Sequence, residues 1–221
     1  MRVVRLLLLF VSVSGILLVV TAAFGEGRPW IDKPPEHWTL QDAEAILWKS
    51  PWVGYKEFRF FNSRGLARDG RICARIQSAR PIRLALALAF QAQPEPNVVN
   101  LKTPDAESVQ EMAEQIHLQG EFVISIIAFP PSFHRRLDKQ PFEQLQKETF
   151  LTVGSLKLPL QRYVPPKDTT FGEAWFRFAR PEITSNTDRV QFTTRLRVPG
   201  KMKVSIDFDP AKLQFEGQVD Y

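Results

Sequence analysis

Cysteine occurs once in this chain of 221 residues, at Cys73. A single thiol excludes an intramolecular disulfide and the paired-cysteine ligand sets of structural zinc sites, so the fold has to be held by its core. Histidine is almost as scarce, at His37, His117 and His134. No H-E-x-x-H helix and no G-x-S-x-G elbow occurs, which removes those signatures of zinc and serine hydrolysis. No repeat and no low-complexity tract is present, so solenoids and propellers are excluded. Runs of one charge are missing too: 29 basic and 24 acidic residues are interspersed along the chain. That reads as a mixed, solvated surface and not as a nucleic-acid groove. Nothing calls for a cofactor or a resident metal.

What is present begins with MRVVRLLLLFVSVSGILLVVTAAFGEG: two arginines, an apolar run from Leu6 to Val20, then small residues. This is the layout of a secretory signal, and Ala23-Phe24-Gly25 fits a cleavage site that leaves Glu26 first. The expected location is secreted or periplasmic. The rival is an inner-membrane anchor, since Val3 to Phe24 is close to the ~20 residues that cross a bilayer. Residues 26–221 are enough for one well-buried core, so a single domain is expected after a signal at residues 1–25. Without Arg2 and Arg5 the remainder carries 27 basic and 24 acidic residues, a net +3, which gives little pull toward an anionic partner.

The most organised stretch is His37 to Trp52, HWTLQDAEAILWKSPW. Thr39 suits an N-cap and Asp42, three residues on, completes a box that satisfies first-turn N–H groups. Leu40, Ala43, Ile46 and Leu47 recur at spacings of three and four on one stripe, and Pro51 pushes Ser50 out of the helical region. The pattern W-T-x-x-(D/E)-A-x-x-(I/L)-L-x-x-S-P-W, preceded by Lys33-Pro34-Pro35, resembles the opening of uncharacterised secreted proteins of acidobacteria. Gln77 to Arg83 and Leu213 to Gly217 are similar to later landmarks of that group. The resemblance implies export and an α+β body; it carries no activity and no site residues.

Further along, Lys56 to Phe61 alternates weakly as a strand, and Asn62 to Gly70 reads as a basic, turn-rich loop. Arg71 to Ser78 is a better strand, with Ile72, Ala74 and Ile76 on one face and Cys73, Arg75 and Gln77 on the other. Ile82 to Phe90 is apolar on nearly every side; its alanines and leucines favour a buried helix over a strand. Thr103 and Pro104 start another helix carrying Val109, Met112, Ala113 and Ile116, stopped by Gly120. Glu121 to Phe129 is a central strand, apolar on both faces. Ser132 to Glu148 is polar, with one short helix after Pro141. From Phe150 onward the period becomes two, through Leu156, Leu158 and Leu160, Ala174 to Phe178, Val190 to Val198, Met202 to Phe208 and Leu213 to Tyr221. The fold class is therefore α+β: a helical N-terminal arm and two further helices on a mainly antiparallel sheet, with a C-terminal meander or half-sandwich.

Candidate chemistry is thin. Cys73 reads as a buried thiol, with a reactive role hanging only on Arg71 and Arg75. Glu114 and His117 lie one turn apart, as in di-iron bundles, but lack a second copy. His134-Arg135-Arg136 with Asp138 is a compact positive loop. Asp207 and Asp209 share a strand face, a spacing able to hold a cation or flank a glycosidic bond. Four of five tryptophans lie between residues 30 and 52, and Trp38, Trp48 and Trp52 are the candidate ligand-binding residues, as a platform for a saccharide or a protein. Core pinning is the competing role for the same rings. The expectation is an exported, non-enzymatic binding or scaffold domain with an unknown protein or saccharide partner, no nucleic acid, and membrane contact only if residues 1–25 are retained. A hydrolase assembled from scattered residues and a membrane-tethered assembly factor are the alternatives.

Overall fold

The capping box written into Thr39 and Asp42 forms as those side chains require. A computed structural model describes residues 27–61, 64–92, 106–115, 120–197 and 200–221. One helical turn in the N-terminal approach, α1 (Pro29–Asp32), precedes α2 (Leu40–Lys49). Thr39 Oγ1 accepts the Asp42 N–H at 3.2 Å while the Asp42 carboxylate accepts the Thr39 N–H at 2.9 Å. Ser50 leaves the helix ahead of Pro51 and donates back to the Ile46 carbonyl at 2.6 Å. Ala43, Ile46 and Leu47 are buried along the expected stripe, but Leu40, expected with them, is 51% exposed at the first helical position.

The chain continues as β1 (Val53–Phe61), β2 (Ala67–Ile76), α3 (Arg80–Gln91), α4 (Ala106–Gln115), β3 (Glu121–Phe129), α5 (Pro131–Leu137) and α6 (Phe142–Glu148). Then come β4 (Phe150–Val153), β5 (Leu156–Pro159), β6 (Arg162–Val164), β7 (Ala174–Ala179), β8 (Val190–Arg197), β9 (Lys201–Phe208), β10 (Gln214–Phe215) and β11 (Gln218–Val219). The strands form a five-stranded sheet in the order β1-β2-β3-β7-β6, a four-stranded sheet in the order β5-β4-β8-β9, and the small β10-β11 hairpin. Every pairing among them is antiparallel. The fold is α+β.

Register decides which side chains meet. Ile76 stands opposite Ile124, and Ile124 opposite Phe176, so these residues share one face of the five-stranded sheet. That face packs on the four-stranded sheet: the Phe192 ring lies 5.3 Å from Phe176 and 6.2 Å from Phe178. The sandwich closes where edge strands β1 and β9 approach, at Gly54. A Cβ there would fall 2.2 Å from Cγ2 of Ile206, so only a hydrogen fits. The opposite face of the five-stranded sheet carries Arg75 and Phe129 and lies under α2, whose Trp48 rests against both. Helix α3 is buried from Pro81 to Leu88 apart from the half-buried Arg83, while Phe90 at the end of IRLALALAF is 40% exposed.

Some expectations need correcting. The stretch read as a loop to Gly70 is already strand from Ala67, because β1 supplies a ladder that continues to the Phe61–Ala67 pair. The polar stretch after Pro131 holds two helices, with Phe133 of α5 packing on Phe58 and Phe60. Leu156 and Leu158 do not share the burial of Leu160: Leu156 is 50% exposed, on an edge strand. Thr103, Pro104 and Ile116, expected in the fourth helix, lie outside the described residues, as do residues 1–25. Among the described residues no helix is long and apolar enough to cross a membrane.

Candidate functional site

Two places gather polar or open surface, and they differ in access. The first lies on the helix-covered face of the five-stranded sheet. Arg75 on β2 stands opposite Ser125 on β3, and Ser125 opposite Trp175 on β7, so the three side chains form one row. Arg75 Nη2 is 2.7 Å from Glu173 Oε1, and the two side chains are only 3% and 4% exposed. The Trp48 ring covers the guanidinium at 5.1 Å, a cation–π contact that strengthens where water is excluded. Cys73 occupies the neighbouring row opposite Tyr55, whose hydroxyl donates to the Trp48 carbonyl. Burial pushes the Cys73 thiol up to about 11 against the opposing pull of Arg75, and burial with the thiol beside it pushes Tyr55 up to about 12. Gln77 follows one step along, fully buried, and Arg177 pairs with Glu121 at the row's far side. A thiol held in its neutral form is a poor nucleophile. This cluster can hold hydrogen bonds, but it holds no activated attacking group.

The second place is a groove of about 190 Å³ lined by Trp38, Leu84, Leu88 and Val109, with Glu36, Arg80, Gln110 and Glu216 among its polar residues. Its walls are the turn at Pro35–His37, α3, α4 and the β10-β11 hairpin. Glu216 and Gly217 both take positive φ, the two-residue turn that suits a tight hairpin, and this places Glu216 2.6 Å from Arg80. At that volume the groove is smaller than the ~300–1,000 Å³ typical of small-molecule sites; it has room for about one large side chain.

The three candidate tryptophans do not form a common open face. Trp52 is fully buried; its Nε1 donates to the Asp220 carbonyl at 2.7 Å, and its ring meets Trp30 and Phe215 edge-on. Trp38 is 7% exposed, donates to the carbonyls of Pro29 and Lys33, and lines the groove. Trp48, half-buried, is the lid over Arg75.

The remaining candidates are dispersed. His37 is exposed on its short turn. His134 sits in helix α5, not in a loop: its Nδ1 accepts the Ala128 N–H at 3.3 Å, so its Nε2 donates to the Gly172 carbonyl at 2.7 Å. Arg136 lies over Phe133, and Asp138 accepts the Lys167 N–H. Glu114 accepts from Gln110, while His117 lies outside the described residues. Asp207 accepts from Arg189 and Gln191, and Asp209 caps the turn at Pro210 through the Ala211 N–H. No metal-holding group of three His, Cys, Asp or Glu side chains gathers among the described residues. Sequence reasoning missed Glu173, Ser125 and Trp175. The available signal was a polar residue at the centre of EFVISIIAF, a strand otherwise apolar on both faces, facing a strand with Arg75 and Gln77 on one side. Comparison with protein-family models, with curated proteins and with solved structures gives no match to this chain.

Proposed function

We propose that this chain is an exported, non-enzymatic recognition domain that takes an apolar side chain of a partner protein into the groove between α3, α4 and the N-terminal approach. The observation that carries the reading is a contrast in access. The groove opens at the half-buried Val109 and Gln110, with charged residues around it and the buried Leu84 and Leu88 behind them, whereas Cys73, Arg75 and Glu173 are buried beneath the Trp48 lid with no such opening beside them and His134 spends both ring nitrogens on backbone groups. A protein segment fits better than a saccharide, because sugar stacking needs an open aromatic face and Trp38, the aromatic residue lining the groove, is only 7% exposed. Export rests on the layout of residues 1–25 and on the resemblance of the opening to secreted proteins.

Two measurements test the reading. A photocrosslinking residue at Gln110 in the native host should give one adduct of defined mass, lost when Val109→Arg fills the groove in a protein that keeps its circular dichroism. The same crosslinker at Lys203, on the exposed side of β9, should give none. No adduct at Gln110, or turnover of ester, peptide or glycoside substrates that Val109→Arg abolishes, would overturn it. The intact mass of protein from the host decides export: a chain starting at Glu26 in soluble material is expected, and a full-length chain in membranes would favour a tethered assembly factor.

A further inference from the structure

The row under Trp48 contains more hydrogen-bonding capacity than the protein itself uses. Arg75 Nε, both amide atoms of Gln77, Ser125 Oγ, Glu173 Oε2, Trp175 Nε1 and Arg177 Nε are each shielded from solvent and have no protein partner. Gln77 and Ser125 are fully buried. Buried polar atoms in folded proteins are nearly always paired, and leaving one unpaired is expensive. Here the unpaired atoms are adjacent rather than scattered: Arg75, Ser125 and Trp175 are successive partners across three strands, and the Gln77 N–H bonds the Val123 carbonyl, placing it one step along the same face. Ser125 is the short side chain in that row, with arginine on one side and tryptophan on the other, so its hydroxyl lies between two larger polar neighbours.

We infer that the cluster of unpartnered polar atoms around Ser125 holds a small neutral guest that both donates and accepts hydrogen bonds. Neutrality follows from the charges, since Arg75 is matched by Glu173 and Arg177 by Glu121; an ion would arrive without a counter-charge and would have to shed its water. Mixed polarity follows from the atoms: Trp175 Nε1 and the Gln77 amide nitrogen require acceptors, while Gln77 Oε1 and Glu173 Oε2 require donors. Water molecules and a small amide or polyol share this chemistry.

Two variants give a sign test. Gln77→Met keeps nearly the same volume and removes both amide atoms, and Ser125→Ala removes the hydroxyl and adds no bulk. If the polar atoms are paired by a guest, each variant loses real hydrogen bonds and Tm falls by about 3–8 °C. If they are unpaired, each variant relieves a penalty and Tm rises. In the wild-type protein, the Trp175 indole N–H and the Gln77 side-chain N–H should show nuclear Overhauser cross-peaks to long-lived water when water is the guest. Native mass spectrometry should show added mass, and acetamide or glycerol should raise Tm, when it is an organic molecule. A rise in Tm for either variant, or the absence of both water cross-peaks and added mass, would overturn the inference.

Discussion

Arg75 shows how much one residue's meaning depends on its neighbours. As a strand arginine two residues from Cys73 it invites a reactive-thiol reading, yet its guanidinium is committed to Glu173 and stacked under Trp48. Removing one member of a sealed ion pair leaves a charge with neither partner nor water, at a cost of about 3–5 kcal/mol. Glu173→Leu should therefore be severely destabilising in urea unfolding, and Arg75→Met with Glu173→Leu together should recover most of the loss. A double variant as unstable as the sum of the singles would show that the pair is not coupled. Cys73 itself was legible: flanked by Ile72 and Ile76 in a strand, it reads as buried, and it is. Glu173 was not, because its role comes from contact with a strand nearly a hundred residues earlier, and no local pattern carries that information.

At the scale of elements, the sequence spoke most clearly where local chemistry is self-sufficient. The cap at Thr39, the stop at Pro51 and the alternation through β8 and β9 each depend on residues a few positions apart, and each formed as expected. The extension of β2 back to Ala67 is different, since strand length is set by the partner's ladder and not by the strand's own residues. So is Gly70, where the Phe58 ring lies over the bare backbone at a position a Cβ would enter at 2.4 Å. The junction of the two sheets yields a prediction of the same kind. Gly54→Ala drives a methyl into Ile206, and in a packed interior that costs about 1–3 kcal/mol. It should lower the urea midpoint, while Gly54→Ala in an Ile206→Ala background should cost much less; equal costs in both backgrounds would mean that the strands do not press together at this point.

For the molecule as a whole, the last described residues tie together the end of the N-terminal arm, the start of α3 and the stretch after β7. Asp220 accepts the Arg80 N–H at the start of α3, at 2.7 Å, and its carbonyl accepts from Trp52. The Tyr221 hydroxyl accepts the Ile183 N–H, and Arg180 lies over the Tyr221 ring at 4.6 Å. Burial raises the Asp220 carboxyl above its ordinary 3.8, outweighing Arg80, Arg83 and Arg180 nearby. The native state then binds that proton more tightly than the unfolded chain, so the stability linked to this group grows as pH falls through the raised value and levels off below 3.8. Asp42, held low by Lys33 and the Thr39 cap despite its own burial, works in the opposite sense, losing its contribution as pH falls through its lowered value. Comparing wild type with Asp220→Asn cancels the Asp42 effect. Wild type should gain on the variant between neutral pH and about 4 in paired urea titrations, and a constant difference would remove Asp220 from the pH response.

The bond from Trp52 to Asp220 spans 168 positions of chain. A ribosome makes on the order of 5–20 residues each second, so the wall that seals Trp52 is not made until on the order of ten seconds or more after the tryptophan itself. Throughout that interval the Trp52 indole N–H lacks its final acceptor, so the seat of the N-terminal arm is completed only when the last residues arrive.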